Sequence, residues 1–122
     1  MQFFRQSRIA LFYPAAFSQT DELEALLHRQ KIELRLVEPE ALELSLAALA
    51  GDMDAPPANP PFKGSAPAAS GIVFANLTEQ RLQSALQALR EASLPPIAVT
   101  AVFTGENRNQ AFGALLEQAT AE

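Results

Sequence analysis

The sequence predicts an α/β protein built on an open, parallel, four-stranded sheet. Three segments of strand length, residues 8–13, 71–75 and 97–103, are almost entirely apolar. Strands of this kind are covered on both faces, which is typical of a parallel sheet flanked by helices. Apolar residues at helical spacing follow each of them. Alternating strands and helices joined by right-handed crossovers favour a three-layer βαβα-βαβα domain.

A fourth strand predicts the order of the sheet. Residues 32–37 alternate strictly between apolar and polar side chains, so one face of this strand is wet and it belongs at an edge. The order 2-1-3-4 then places the first and third strands in the centre. A ferredoxin-like α+β fold is the alternative, and it requires the helical stripe of Leu42, Leu46 and Leu49 to be dispensable.

The helices are predicted from caps and apolar stripes. Ser18 or Thr20 caps the first helix, Pro39 opens the second, Gly51 ends it and Thr78 caps the third. The remaining apolar stripes are Leu23, Leu26 and Leu27 in the first helix, Leu82, Ala85, Leu86 and Leu89 in the third, and Phe112, Leu115, Leu116 and Ala119 in the fourth.

One domain spanning residues 1–122 fits the length of the chain. Residues 52–70 are rich in Pro, Ala, Gly and Ser, which predicts an extended, mobile connector. A Pro-rich ligand for an aromatic groove is the alternative interpretation. The two βαβα halves on either side form only a weak internal repeat, because no residue-level identity relates them.

Composition limits the compartment and the partners. The net charge is −5, the basic residues are scattered and cysteine is absent. We therefore expect a cytoplasmic protein that binds neither nucleic acid nor membranes. Arg5 and Arg8 precede an apolar run, but Pro14 interrupts it and no cleavage site follows, so we expect a first core strand rather than a signal peptide.

Catalytic motifs are absent from the sequence. It contains no G-x-G-x-x-G, Walker A, G-x-S-x-G or H-E-x-x-H motif. His28, the single histidine, falls at a predicted helix end off the apolar stripe, and Asp52 with Asp54 is too few ligands for a metal. Ala75 or Asn76 stands where a response-regulator receiver carries its aspartate. These features favour a protein without catalytic residues, metal or cofactor.

Polar residues at the carboxyl ends of the predicted strands form the candidate site. They are Tyr13, Asn76, Thr78, Thr104, Asn107, Arg108 and Asn109, together with Phe17. In open α/β sheets ligands bind at this rim, and helix N-termini with an arginine bind anions. Local helix capping is the alternative. Two hypotheses follow: an interaction module for an unknown protein partner, or an enzyme or sensor for a small anionic ligand.

The second half of the chain carries a family resemblance. Its motifs are residues 101–104, Asn107-Arg108-Asn109, the helix around 82–89 and the Leu94-Pro95-Pro96-Ile97 turn. Residues 71–116 resemble a family of small bacterial proteins known only as a domain of unknown function. Thr100, Gly105 and Gln110 depart from the family, which commonly has lysine, proline and an aromatic residue there. The resemblance implies a soluble bacterial protein with no established activity.

Overall fold

The computed structural model describes residues 8–51, 54–58, 62, 64 and 67–120. A four-stranded sheet contains β1 (Ile9–Tyr13), β2 (Glu33–Leu36), β3 (Gly71–Ala75) and β4 (Val99–Val102) in the order β2-β1-β3-β4. The helices are α1 (Thr20–Arg29), α2 (Leu46–Leu49), α3 (Glu79–Glu91) and α4 (Phe112–Thr120), with a 3-10 turn at Pro39–Ala41. The predicted order is confirmed, and β2 lies at an edge.

The directions of the strands differ from the prediction. β1 and β2 are parallel and so are β3 and β4, but β1 and β3 are antiparallel, with Ile9 opposite Ala75 and Tyr13 opposite Gly71. The all-parallel sheet was therefore wrong, and the sheet is mixed. Central strands are buried on both faces whichever way they run, so their apolar sequences do not reveal direction. A long connector between residues 51 and 71 can reach either end of β1.

Apolar clusters lie on both faces of the two central strands. Ile9, Leu11 and Tyr13 of β1 point to one face, where they pack with Leu42, Leu46, Phe112 and Leu116. Ala10 and Phe12 point to the other face, together with Leu23 and Leu27 of α1 and Ala85 of α3. The period-two alternation of the strands therefore divides the core into two apolar clusters.

The strand predicted at 97–103 is shorter and more exposed than expected. β4 spans Val99–Val102; Val99 is 6% exposed, whereas Val102 is 42% exposed. The expectation that this strand is covered on both faces was wrong. In the order β2-β1-β3-β4 this strand has a neighbour on one side only, so its outer side faces solvent.

The predicted helix from Pro39 to Gly51 is interrupted. It consists of the 3-10 turn and the short α2, because Ser45 adopts an extended conformation and forms an isolated antiparallel bridge with Ala111. The Ser45 hydroxyl then caps α2 by accepting a hydrogen bond from the Ala48 amide at 3.1 Å. Gly51, at φ 108°, lies at the predicted end.

The predicted caps have different outcomes. Thr78 caps α3, as expected, by accepting from the Arg81 amide at 3.2 Å. Neither Ser18 nor Thr20 caps α1: its N-cap residue is Gln19, which makes no side-chain capping bond. The first helix therefore begins without a hydroxyl cap.

Part of the connector can be placed. Phe62 is half-buried and packs against the cluster that contains Phe112. Residues 52–53, 59–61, 63 and 65–66 lie outside the described residues, as do Phe3 and Phe4, so the predicted mobility of the connector stays a prediction. Within the described ranges, no helix has the length and apolar character needed to cross a bilayer.

Candidate functional site

The candidate residues lie at two opposite ends of the sheet, where the strands begin and end. Phe74 pairs with Val102 in the parallel β3/β4 ladder, so the segments that follow these two strands begin at the same end of the sheet. Asn76 and Thr78 lie there with residues 104–109. Because β1 runs antiparallel to β3, Tyr13 pairs with Gly71 at the start of β3 and lies at the opposite end of the sheet. The structure therefore does not bring Tyr13 together with the other candidate residues.

Tyr13 and Phe17 have packing partners of their own. The Tyr13 side chain is buried, and its hydroxyl donates a hydrogen bond to the Pro67 carbonyl at 2.8 Å. The Phe17 ring contacts Phe12 edge to face, with a centroid distance of 5.2 Å. These contacts hold the loop after β1 and the end of the connector against the core.

Thr104 and Asn107 bind each other's backbone. The Asn107 side chain accepts from the Thr104 amide at 2.8 Å and donates to the Val102 carbonyl at 2.9 Å. The Thr104 hydroxyl accepts from the amides of Glu106 at 3.2 Å and Asn107 at 3.3 Å. Both side chains thus serve the turn after β4. This arrangement matches the local-capping interpretation for these two residues.

The turn after β3 has a similar local organisation. Asn76 has φ 66°, a left-handed conformation that asparagine tolerates better than most residues. Thr78 accepts the Arg81 amide as described above, so its hydroxyl belongs to the start of α3. Asn76 and Thr78 are both exposed. The two residues shape the entry into the helix.

The side chains of Arg108 and Asn109 are exposed at the end of the sheet where β3 and β4 finish. The main-chain carbonyl of Arg108 accepts from the Ala47 amide at 2.8 Å, which ties the loop to α2. Glu106, also exposed, lies two residues away in the same loop. A carboxylate so close in the chain opposes the attraction that Arg108 exerts on an anion.

A second surface was missed by sequence reasoning. An open groove of about 410 Å³ lies between α3, residues 94–97 and Thr100 of β4. Leu86, Leu89, Arg90, Leu94, Pro95, Pro96, Ile97 and Thr100 line it. Leu86 and Leu89 were predicted to be buried in the core, but they are only half-buried. The combination of this excess of leucine with two prolines before an edge strand is the signal that could have revealed the groove.

Two further residues considered in the sequence, His28 and Asp54, are exposed. His28 is exposed at the end of α1, as expected, and Asp54 is exposed in the described part of the connector, whereas Asp52 lies outside the described residues. Among the residues that the structure describes, no group of three or more His, Cys, Asp or Glu side chains could hold a metal ion.

Comparisons with known proteins bear on the second half of the chain. No curated protein and no solved structure gives a significant match. A family model does match, and the matched segment covers β3, α3, β4 and α4, which form one βαβα unit. Residues 71–122 therefore match the family described as Domain of unknown function (DUF3783).

Proposed function

We propose that this protein is a non-enzymatic interaction module that binds an extended peptide segment of a partner protein along β4. The observation that carries the proposal is an open sheet edge bordered by an apolar groove. Peptides that add a strand to such an edge gain main-chain hydrogen bonds, and neighbouring pockets select their side chains.

The hydrogen-bonding pattern of β4 leaves backbone groups on its outer side. Val99 donates to the Ser70 carbonyl at 3.0 Å, and Phe103 donates to the Phe74 carbonyl at 2.8 Å. In a parallel ladder alternate residues bond to the same neighbour, so Thr100 and Val102 direct their main-chain groups outwards. Asn107 occupies the Val102 carbonyl. Within the described residues, the Thr100 amide and carbonyl and the Val102 amide have no hydrogen-bond partner, so they are available to a partner strand.

The groove beside this edge suits an aliphatic side chain. Leu86 and Leu89 of α3 form one wall, and Leu94 and Ile97 contribute to the other. Burying an aliphatic side chain of a partner there contributes about 1.5–3 kcal/mol when burial is complete. Thr100 belongs both to the open edge and to the groove, so one peptide can use both features.

Charge narrows the class of peptide. Among the described residues that line the groove, Arg90 alone is charged, and its side chain is exposed. An acidic residue next to the aliphatic anchor complements it. Because an exposed ion pair contributes about 0–1 kcal/mol, Arg90 serves orientation more than affinity.

The test is an NMR titration with a blocked peptide of alternating valine and threonine, carrying a central leucine followed by glutamate. We expect chemical-shift changes centred on Thr100, Val102, Leu86 and Leu89. Leu89→Lys should abolish them, and Leu36→Lys on the opposite sheet edge is the matched control. Replacing the peptide leucine by alanine should weaken binding. Shifts confined to other surfaces, or none at all, would overturn the proposal.

Binding of a small anionic ligand at the carboxyl ends of β3 and β4 is the second candidate function. Four exposed residues support it because they follow the carboxyl ends of β3 and β4 at the same end of the sheet: Asn76, Thr78, Arg108 and Asn109. Thermal-shift measurements with inorganic phosphate and with nucleotides test it, since a ligand at a hundred times its Kd stabilises by about 2.7 kcal/mol. Arg108→Ala should remove any such shift. The absence of a shift from every anion excludes this function.

The setting of the protein is part of the same proposal. A bacterial, cytoplasmic location is supported by the family resemblance and by the cysteine-free composition. A three-layer arrangement is supported by the two apolar clusters on opposite faces of the sheet.

A further inference from the structure

The two halves of the chain share several main-chain contacts. Glu33 donates to the Arg8 carbonyl at 2.9 Å, and Val99 donates to the Ser70 carbonyl at 3.0 Å. Further along the same strands, Val37 donates to the Phe12 carbonyl and Phe103 donates to the Phe74 carbonyl, both at 2.8 Å. Each bond therefore has a counterpart at the same place in the other βαβ unit.

The contacts between the halves are reciprocal. The Leu46 amide donates to the Gln110 carbonyl and the Phe112 amide donates to the Leu44 carbonyl, both at 3.0 Å. Next to them, Ala47 donates to the Arg108 carbonyl at 2.8 Å and Gly113 donates to the Leu42 carbonyl at 2.9 Å. Ser45 and Ala111 pair at the centre of this exchange.

The spacing of these positions relates the halves by a local two-fold axis. Ser45 follows Glu33 at the same distance along the chain as Ala111 follows Val99. β1 pairs with β3 in antiparallel fashion, as two copies of one strand do across a two-fold axis. The internal repeat that was weak in sequence is therefore strong in geometry.

The strands at the axis have complementary sizes. Ile9 lies opposite Ala75, Tyr13 lies opposite Gly71, and all four face the same cluster or adjoin it. Under the same two-fold pairing, two copies of β1 would place isoleucine opposite tyrosine, which overfills the core. Two copies of β3 would place glycine opposite alanine, which leaves a void. The pairing therefore favours one half of each kind.

We propose that residues 70–120 are one half of a fused pseudo-dimer, whose pairing surface, β3 with residues 110–113, is specific for the first half of this chain or of a second copy. The matched family segment is then a half-domain that binds a complementary βαβα unit. In one chain the partner is supplied through the connector, and between two copies the halves can exchange.

Trans-complementation of full-length chains tests the proposal. Leu11 and Val73 lie opposite each other and are both 1% exposed, so Leu11→Asp disables the first half and Val73→Asp disables the second. Neither variant alone should show a cooperative urea transition. An equimolar mixture refolded together should recover roughly half of the wild-type folded signal, because one intact pair forms for every two chains. A mixture no more folded than its components overturns the proposal.

A second arm keeps the proposal testable if one of those variants still folds. Ile9→Ala and Ala75→Ile should each lower the urea midpoint, and the double variant should recover most of the loss, because the large and small residues have changed sides. Ala10→Ser is the control at a buried position whose side chain points to the other face. Losses that simply add in the double variant contradict size-specific pairing.

Discussion

The side-chain amide of Asn107 lies against the outer edge of β4, where it donates to the Val102 carbonyl at 2.9 Å. With the bond that it accepts from the Thr104 amide, it makes the two contacts that a neighbouring strand would make at that point. A residue expected to bind a ligand thus closes the end of the sheet edge. Among the described residues, the unpaired main-chain groups on the outer edge of β4 are those of Thr100 and the Val102 amide.

Asn107→Ala should therefore destabilise the protein by about 1 kcal/mol, because two backbone groups lose their partner. Urea unfolding measures the loss, and hydrogen exchange of the Thr104 amide should accelerate. Asn109→Ala is the control, because Asn109 is exposed in the same loop. Equal effects of the two substitutions would contradict the role of Asn107.

Val99 and Val102 should respond differently to a buried charge. Val99→Asp should cost more than about 3 kcal/mol, since an unpaired carboxylate replaces a core side chain. Val102→Asp should change stability by less than about 0.5 kcal/mol, because its side chain is largely exposed. Paired urea melts decide the point, and a tolerant Val99 would contradict the described packing of β4.

Gly71 should not accept a side chain. A Cβ at this position meets Leu116 Cδ2, so Gly71→Ala should cost about 1–3 kcal/mol through overpacking. If that clash is the cause, the double variant with Leu116→Ala should lose less stability than the sum of the two single losses. Gly105→Ala is the control, because an added Cβ there has no neighbouring atom within 4 Å. Thermal unfolding compares the variants.

Helix capping gives a fourth prediction. Thr78→Ala should cost about 1 kcal/mol, since its hydroxyl accepts the Arg81 amide. Ser18→Ala and Thr20→Ala should each cost less than about 0.5 kcal/mol, because α1 has no side-chain capping bond. Circular dichroism during urea titration measures all three. A loss at Ser18 equal to that at Thr78 would show that α1 is capped in solution.

Sequence patterns predicted the strands and their order because burial has a direct compositional signature. Gly71–Ala75 begins and ends as predicted, and Thr78 precedes α3 as predicted. Strand direction carries no such signature in β1 and β3, whose side chains are buried either way. Because β1 runs antiparallel to β3, Tyr13 lies at the opposite end of the sheet from the other candidate residues.

Two other features depend on long-range contacts that local patterns do not encode. The stripe of Leu42, Leu46 and Leu49 predicts a continuous helix, but the bridge from Ser45 to Ala111 interrupts it. The groove beside β4 depends on where α3 ends relative to an edge strand. In both cases the partner is distant in sequence, and tertiary pairing overrides the local preference.

The antiparallel pairing of β1 and β3 also determines how the dipoles of α1 and α3 are oriented relative to each other. Each helix of a βαβ unit runs against its strands, so α1 and α3, which contact each other on one face, point in opposite directions. The macrodipole of each helix places the equivalent of about half a positive charge at its N-terminus, and the two N-termini lie at opposite ends of the sheet. Their fields largely cancel instead of adding. In an all-parallel sheet the positive ends of the α1 and α3 dipoles would lie at one end of the sheet, whereas here they lie at opposite ends.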